Sequence, residues 1–148
     1  MDDVEYFVDT NVFVRYFVKD SEQSFIECRG IFDDLAMSSL KAVTSSSVIA
    51  EIHWVLKSYY KLPKVEIVDY VSRILSIRNL DIDNLDSPLL ANSIFQDSSV
   101  KFIDALIASH PRIQDGSMSV ISYDKDFDKL GVKRMEPKSV LKSLRRRT

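Results

Sequence analysis

The sequence is poor in the residues that build tight turns, disulfides and zinc sites. Its 148 residues include three Gly, four Pro, one Cys and two His. So few Gly and Pro argue against an all-β fold and favour helices joined by short connections. The single Cys28 cannot form an internal disulfide, and His53 and His110 lie too far apart in sequence for a typical zinc-ligand spacing.

Long hydrophobic runs and an excess of positive charge are also lacking. No apolar stretch approaches the ~20 residues of a membrane-spanning helix, and Met1-Asp2-Asp3 differs from the basic start of a signal peptide. These features predict a cytoplasmic protein without membrane contact. The formal net charge of −2 gives no overall support for nucleic-acid binding. One basic run, residues 142–147, is interpreted as a solvated and frayed end of the chain.

The remaining composition is typical of one globular domain, which we expect to span residues 1–148. Apolar residues make up 45% of the chain and charged residues 28%. Short β-forming runs alternate with segments in which apolar residues recur at helical spacing. The predicted strands are Tyr6–Val8, Lys41–Ser45, Leu80–Ile82 and Ser117–Ser122. This order predicts a helix-rich, three-layer α/β/α fold, Rossmann-like, with a central parallel sheet covered on both faces.

Capping residues and prolines predict where the helices begin. The predicted N-caps are Thr10 and either Ser46 or Ser47. Other helices are predicted to open at Asp20 or Ser21, at Pro63 and at Ser87, and a further helix is predicted over Val100–Ser109. The aromatic residues of the third helix region, Trp54, Tyr59 and Tyr60, are able to stack on unpaired bases. We expect them to pack instead, because Tyr59 shares the apolar stripe of its helix.

Four acidic residues stand out by their positions. Asp9 ends the first predicted strand and Asp124 follows the last one, so both are expected at the edge of the sheet where ligands bind. Asp104 lies in Phe102–Ala108, a helix that is apolar on nearly every face. Glu51 lies beside the apolar stripe of its helix rather than opposite it. An acid in such a place is either paired within the core or faces a cleft.

Four carboxylates at one edge would repel one another unless a cation lay between them. Mg²⁺ or Mn²⁺, which prefer oxygen ligands, are the natural candidates, and such ions promote phosphodiester hydrolysis. The chain contains no Gly-rich phosphate loop and no serine in a nucleophile-elbow context. A phosphatase that uses Asp9 as its nucleophile would need a second Asp at position 11, where this chain has Asn11.

Four segments together resemble the PIN-domain family, and in particular the VapC-type toxins of prokaryotic toxin–antitoxin pairs. They are Phe7–Arg15, Ser47–Glu51, Phe102–Ala108 and Val120–Phe127. The resemblance covers essentially the whole chain. It implies a doubly wound α/β fold and an Mg²⁺- or Mn²⁺-dependent endoribonuclease that cleaves RNA, is restrained by a cognate antitoxin and forms a homodimer.

The resemblance also implies roles for individual residues. Asp9, Glu51, Asp104 and Asp124 match the acidic quartet that holds the metal, and Asp126 is an alternative or additional acid. Asn11 matches a polar residue that orients the first acid or a metal-bound water. Arg15 matches a basic residue that contacts RNA phosphate. Two other functions stay open: a catalytically silent PIN-like module that binds RNA or protein, and a stand-alone PIN nuclease in RNA processing.

Overall fold

The computed structural model describes residues 5–147, which form an α/β fold around a five-stranded sheet. The strands are β1 (Glu5–Val8), β2 (Lys41–Thr44), β3 (Leu80–Ile82), β4 (Ser119–Ile121) and β5 (Arg134–Met135). Their order is β3-β2-β1-β4-β5, and every neighbouring pair is parallel. The predicted parallel sheet is therefore confirmed. The sequence did not predict β5, because two residues are too few to display an alternating pattern.

Helices connect the strands and cover the sheet. They are α1 (Thr10–Phe17), α2 (Glu22–Ala36), α3 (Ser46–Ser58), α4 (Lys64–Leu75), α5 (Pro88–Gln96), α6 (Phe102–Ala108), α7 (Pro111–Gln114), α8 (Asp126–Lys129) and α9 (Pro137–Arg146). From β1 the chain runs outward to β3 and then crosses to β4 and β5. Because such crossovers are right-handed, the two sets of connecting helices lie on opposite faces, as the three-layer prediction requires. Within residues 5–147, no helix is long and apolar enough to cross a membrane.

The core lies between the sheet and the flanking helices. Phe7 and Val8 of β1 and Ile121 of β4 are at most 1% exposed. Across the helix layer, the ring of Phe13 stacks on that of Phe32 with centroids 5.4 Å apart. Burying a side chain of this size contributes roughly 1.5–3 kcal/mol, so the central strands are firmly held. The residues that follow β1 and β4 consequently start from fixed positions.

Two helices have an N-cap residue that lies one or more positions before the predicted one. Asp9, not Thr10, is the N-cap of α1, and its carboxylate accepts a hydrogen bond from the backbone N–H of Thr10. Ser45, rather than Ser46 or Ser47, caps α3 by accepting a hydrogen bond from the N–H of Val48. In both places the strand passes directly into the cap without a loop. This short connection fixes Asp9 at the carboxyl end of β1.

The basic run near the end of the chain is helical as far as Arg146, so the prediction of a frayed end was wrong, whereas its basic side chains are exposed as predicted. It belongs to α9, which packs against α2. A Cβ on Gly30 of α2 would lie 2.8 Å from a methyl carbon of Leu141, so glycine lets the Leu141 side chain pack here without shifting. Val140 of α9 is fully buried. The helical spacing of Val140, Leu141 and Leu144 carried the signal, which the surrounding charges obscured.

Candidate active site

The candidate site lies at the point where the strand order reverses. β1 and β4 are neighbours in the sheet, and the crossovers leave them in opposite directions. Asp9 directly follows β1, and Asp124 comes three residues after β4. Ligands of open α/β sheets bind at such a reversal, outside the carboxyl ends of the strands. Here a cleft of about 490 Å³ is lined by Asp9, Glu51, Asp104 and Asp124, which the structure thus brings together.

Asp104 carries the least compensated carboxylate of the cleft. The residue is 3% exposed, and its Oδ2 atom is buried without a hydrogen-bond partner. Burial raises the pKa of Asp104 to about 7, and the negative charges of Asp9 and Asp124 add to this shift. Carboxylate oxygens of Asp104, Asp124 and Asp126 lie within 4.8 Å of one another. A buried oxygen without a partner, next to other carboxylates, is a costly arrangement that a cation would relieve.

Asp9 is held in a single orientation by three hydrogen bonds. Its Oδ1 accepts from the N–H of Thr10 at 2.7 Å, and its Oδ2 accepts from Ser122 Oγ at 2.6 Å and from Asn11 Nδ2 at 3.1 Å. Burial raises the pKa of Asp9 to about 6, although the Ser122 and Thr10 hydrogen bonds oppose that rise. The negative charges of Glu51 and Asp124 raise it further. Burial and neighbouring negative charge thus destabilise the ionised form of Asp9, as they do for Asp104, but hydrogen bonds offset part of this effect at Asp9.

The other acids reach the cleft from α3 and from the segment after β4. Glu51 Oε2 accepts a 3.2 Å hydrogen bond from Thr10 Oγ1, and burial raises the pKa of Glu51. The backbone N–H of Asp126 donates to Asp124 Oδ1 at 2.9 Å, which fixes that side chain. The carboxylate of Asp126 also pairs with Lys129 Nζ at 2.9 Å. The five acids thus differ in how far their charge is already compensated.

Two cations lie among these acids. The Arg15 guanidinium lies over the ring of Tyr123, 4.1 Å from its centroid. Lys101 is the N-cap residue of α6, and its charge lowers the pKa values of Asp104 and Glu51. In the part of the chain that the structure describes, neither cation forms an ion pair within 4 Å. Both line the cleft and are available to an anionic ligand.

The donor atoms of the site fit a hard divalent cation. The side chains that converge on the cleft offer carboxylate oxygens, which Mg²⁺ and Mn²⁺ prefer. The unpartnered Oδ2 of Asp104 is the atom whose burial such an ion would offset. Asp104, Asp124 and Asp126 have oxygens close enough together to share one ion, and Asp9 and Glu51 line the same cleft as Asp104 and Asp124.

Comparison with protein families gives the decisive observation. The PIN domain family matches residues 6–133, which is most of the chain. This protein belongs to the PIN-domain family. The predicted resemblance is confirmed at that level. The sequence matches no curated protein.

Solved structures share the fold of this PIN domain at low sequence identity. PAE2754 from Pyrobaculum aerophilum is 14% identical with a TM-score of 0.69, and the match covers 97% of this chain and 96% of that one. VapBC from Salmonella typhimurium, solved bound to DNA, is 16% identical with a TM-score of 0.65 over 90% of this chain and 98% of that one. VapC20 from Mycobacterium tuberculosis, a toxin that cleaves the sarcin–ricin loop, is 14% identical with a TM-score of 0.61 over 86% and 95%.

Three contributors to the site of this PIN domain escaped the sequence analysis. Ser122 bonds to Asp9, Thr10 bonds to Glu51, and Lys101 lies beside Asp104. A hydroxyl directly after a buried strand was the available signal for Ser122. Lys101 stands three residues before Asp104, on the same side of its helix. These residues act on neighbours that are distant in sequence, which spacing alone does not reveal.

The prediction that the aromatic residues pack into the core was partly wrong. Trp54 is 65% exposed and Tyr59 is 74% exposed. Tyr60 is half-buried and packs against the core. Trp54 borders a groove between α3 and α4, whereas Tyr59 and Tyr60 border the cleft that holds the acids. Tyr59 does lie on the same face as the apolar residues of α3. At the carboxyl end of the helix, however, that face lines the cleft and is not covered by the core.

Proposed function

We propose that this PIN domain acts as a single-domain, metal-dependent endoribonuclease, and that it is the toxin of a VapBC-type pair. The observation that carries the proposal is the buried, unpartnered Oδ2 of Asp104 beside the carboxylates of Asp124 and Asp126. Asp9, Glu51, Asp104 and Asp124 would hold Mg²⁺ or Mn²⁺, with Asp126 as an additional ligand. Such a cation would supply Lewis-acid stabilisation for charge that builds on a phosphodiester during hydrolysis.

The protein's own residues have positioning and binding roles in this proposal. Asn11 and Ser122 hold the Oδ2 atom of Asp9, and Thr10 connects Asp9 to Glu51 through its backbone and side chain. These hydrogen bonds keep the carboxylates oriented before substrate arrives. Hydrolysis forms a bond between a water oxygen and phosphorus, breaks the bond to a ribose oxygen and transfers a proton to that oxygen.

The substrate role falls to the two cations that line the cleft, neither of which has an ion-pair partner among residues 5–147. Arg15 is braced on the Tyr123 ring, and Lys101 lies next to Asp104. Phosphate oxygens are suitable partners for both cations. RNA would therefore enter along the cleft with its backbone between these side chains and the acids.

The proposed partners follow from the structural relatives and from exposed apolar surface. Similarity in fold to the Salmonella VapBC and to VapC20 supports a cognate antitoxin as one partner. Leu85 is 58% exposed and Leu89 is 85% exposed, which supports further protein interfaces, including a homodimer. Light scattering tests the homodimer: a mass of twice 17.0 kDa is expected, and a monomer at every concentration contradicts it.

A cleavage assay with matched variants tests the enzyme proposal. We expect RNA cleavage that requires Mg²⁺ or Mn²⁺ and falls at least about 100-fold in Asp9→Asn and Asp104→Asn. Asp97→Asn serves as the control, because Asp97 is an exposed acid at the end of α5, away from the cleft. Equal cleavage by the parent and both site variants would refute the assignment.

A binding measurement separates the enzyme from a catalytically silent module. We expect calorimetric titration with Mn²⁺ to show binding that Asp104→Asn weakens and Asp97→Asn leaves unchanged. A silent scaffold would show no binding that depends on these carboxylates. Mn²⁺ binding without cleavage of any RNA would favour the silent module.

A further inference from the structure

The aromatic wall of the cleft points to a second subsite, beyond the acids. Glu51, Val55 and Tyr59 follow one another at four-residue intervals along α3, and all three line the cleft. One face of the helix therefore leads from the acidic cluster to Tyr59. The distance from Glu51 to Tyr59 is about 12 Å along the helix axis. A ring at that distance would meet a nucleotide that neighbours the reacting phosphate.

Packing within the domain does not explain why Tyr59 is exposed. The side chain is 74% exposed at the end of α3, where a polar residue would avoid contact between apolar surface and water. Its neighbour Tyr60 contacts it edge to face, with ring centroids 4.9 Å apart. That contact occupies at most one face of the Tyr59 ring. The rest of the ring is open to the cleft.

Tyr60 provides a rigid support for this exposed ring. It packs against the core, and its hydroxyl donates a 2.5 Å hydrogen bond to Asp20 Oδ2. Burial and this hydrogen bond raise the pKa of Tyr60 to about 12, so the hydroxyl remains a donor at neutral pH. A ring braced in this way loses little freedom when a flat ligand stacks on it.

We propose that Tyr59 is a base-stacking platform for an unpaired RNA base adjacent to the cleaved phosphodiester. The inference rests on the proposed ribonuclease function and adds a residue, Tyr59, that contacts a base of the substrate. Arg15 and Lys101 would contact the backbone while Tyr59 stacks on the base, which is the usual combination for single-strand recognition. Every base has a flat face, so this contact would select for unpaired bases without selecting for a particular sequence.

Binding of single-stranded RNA in an inactive background tests the stacking. We would measure fluorescence anisotropy of a labelled oligoribonucleotide with the Asp104→Asn protein in the presence of Mg²⁺. Adding Tyr59→Ala should weaken binding roughly tenfold, whereas Tyr59→Phe and Tyr59→Trp should retain it. Trp54→Ala is the matched control, because Trp54 is an exposed aromatic residue of the same helix outside the cleft.

An oligonucleotide of the same length with abasic sites distinguishes stacking from a general effect on the cleft. It keeps the phosphates and lacks the bases, so Tyr59→Ala should leave its binding unchanged. Equal weakening for intact and abasic RNA would overturn the proposal. So would unchanged binding of intact RNA by Tyr59→Ala, or no RNA binding at all by the Asp104→Asn protein.

The outcome for the stacking is separate from the outcome for the enzyme. Cleavage by the parent with no effect of Tyr59→Ala on binding would reject the stacking and leave the ribonuclease proposal intact. Base-dependent binding through Tyr59, in a protein that cleaves no RNA, would support the stacking and reject the ribonuclease proposal.

Discussion

Ser122 and Asp9 follow neighbouring strands and share the shortest of the three hydrogen bonds that hold the Asp9 carboxylate. Ser122 Oγ donates to Asp9 Oδ2 at 2.6 Å, and Ser122 Oγ also accepts a hydrogen bond from the N–H of Asp124 at 2.9 Å. Asn11 Nδ2 also reaches both Ser122 Oγ and Asp9 Oδ2, each at 3.1 Å. Ser122 thus connects the first acid of the site to the backbone of the last one. Ser122 is fully buried, so its hydroxyl makes these contacts away from bulk water.

Ser122→Ala should weaken metal binding without abolishing the fold. The hydroxyl lowers the pKa of Asp9, so its removal should raise that pKa and reduce the fraction of ionised carboxylate at neutral pH. We expect at least about tenfold weaker Mn²⁺ binding by calorimetry. Ser99→Ala is the control, since Ser99 is exposed. Equal affinity in Ser122→Ala and the parent would show that Asp9 needs no such support.

The raised pKa of Asp104 predicts how stability depends on pH in the metal-free protein. Its pKa is about 7 in the folded state against an ordinary value of 3.8. The folded protein therefore retains this proton to higher pH than the unfolded chain does. The contribution of Asp104 to stability is fully present below pH 3.8 and is lost as the pH rises through about 7.

Asp104→Asn should consequently stabilise the metal-free protein at alkaline pH, because the amide carries no charge. With a chelator at about pH 8, we expect a Tm several degrees above that of the parent, and a smaller difference at about pH 5. Thermal unfolding at the two pH values measures this. Asp97→Asn should show no pH-dependent difference. A lower Tm for Asp104→Asn than for the parent at the alkaline pH would contradict the prediction.

The sequence predicted the sheet because the central strands are strongly apolar runs that end at polar residues. Tyr6–Val8 and the acid that follows it already marked one edge of the sheet, and Asp104 stood out in an apolar helix. The structure places these features at the reversal between β1 and β4. Local patterns were sufficient here because burial of each strand depends on its own residues.

The support around the acids was not predictable in this way. Ser122 and Asp9 are 113 positions apart, and Thr10 and Glu51 are 41 apart. Such hydrogen bonds depend on the strand order, which local propensity does not specify. The exposure of Tyr59 was mispredicted for a related reason. Helical spacing shows on which face of the helix a residue lies, but it does not show how far along the helix that face is covered by other elements.

Lys101→Gln should weaken RNA binding through the loss of one phosphate contact. Lys101 lines the cleft, and no carboxylate of the described residues pairs with it within 4 Å. The slope of log affinity against log salt should become shallower by about 0.7, the value for one contact to a single strand. Lys57→Gln, which removes a charge outside the cleft, should leave the slope unchanged. An unchanged slope for Lys101→Gln would exclude the contact.

Arg15 depends on Tyr123 for its position, and the ring and the hydroxyl of Tyr123 have separate roles. The ring supports the guanidinium from 4.1 Å. The hydroxyl donates to Glu27 Oε2 at 2.7 Å, and burial raises its pKa well above the ordinary value, so it stays protonated. The hydroxyl therefore anchors the ring, and the ring orients the cation toward the cleft.

Replacing Tyr123 with Phe or Leu distinguishes these contributions. Tyr123→Phe keeps the ring, so RNA affinity should fall less than about threefold, while the lost hydrogen bond lowers stability by about 1 kcal/mol. Tyr123→Leu removes the ring face, and its affinity should fall as far as that of Arg15→Gln. In the double variant the two losses should not add, because both remove the same oriented charge. Additive losses would show that Arg15 acts independently of Tyr123.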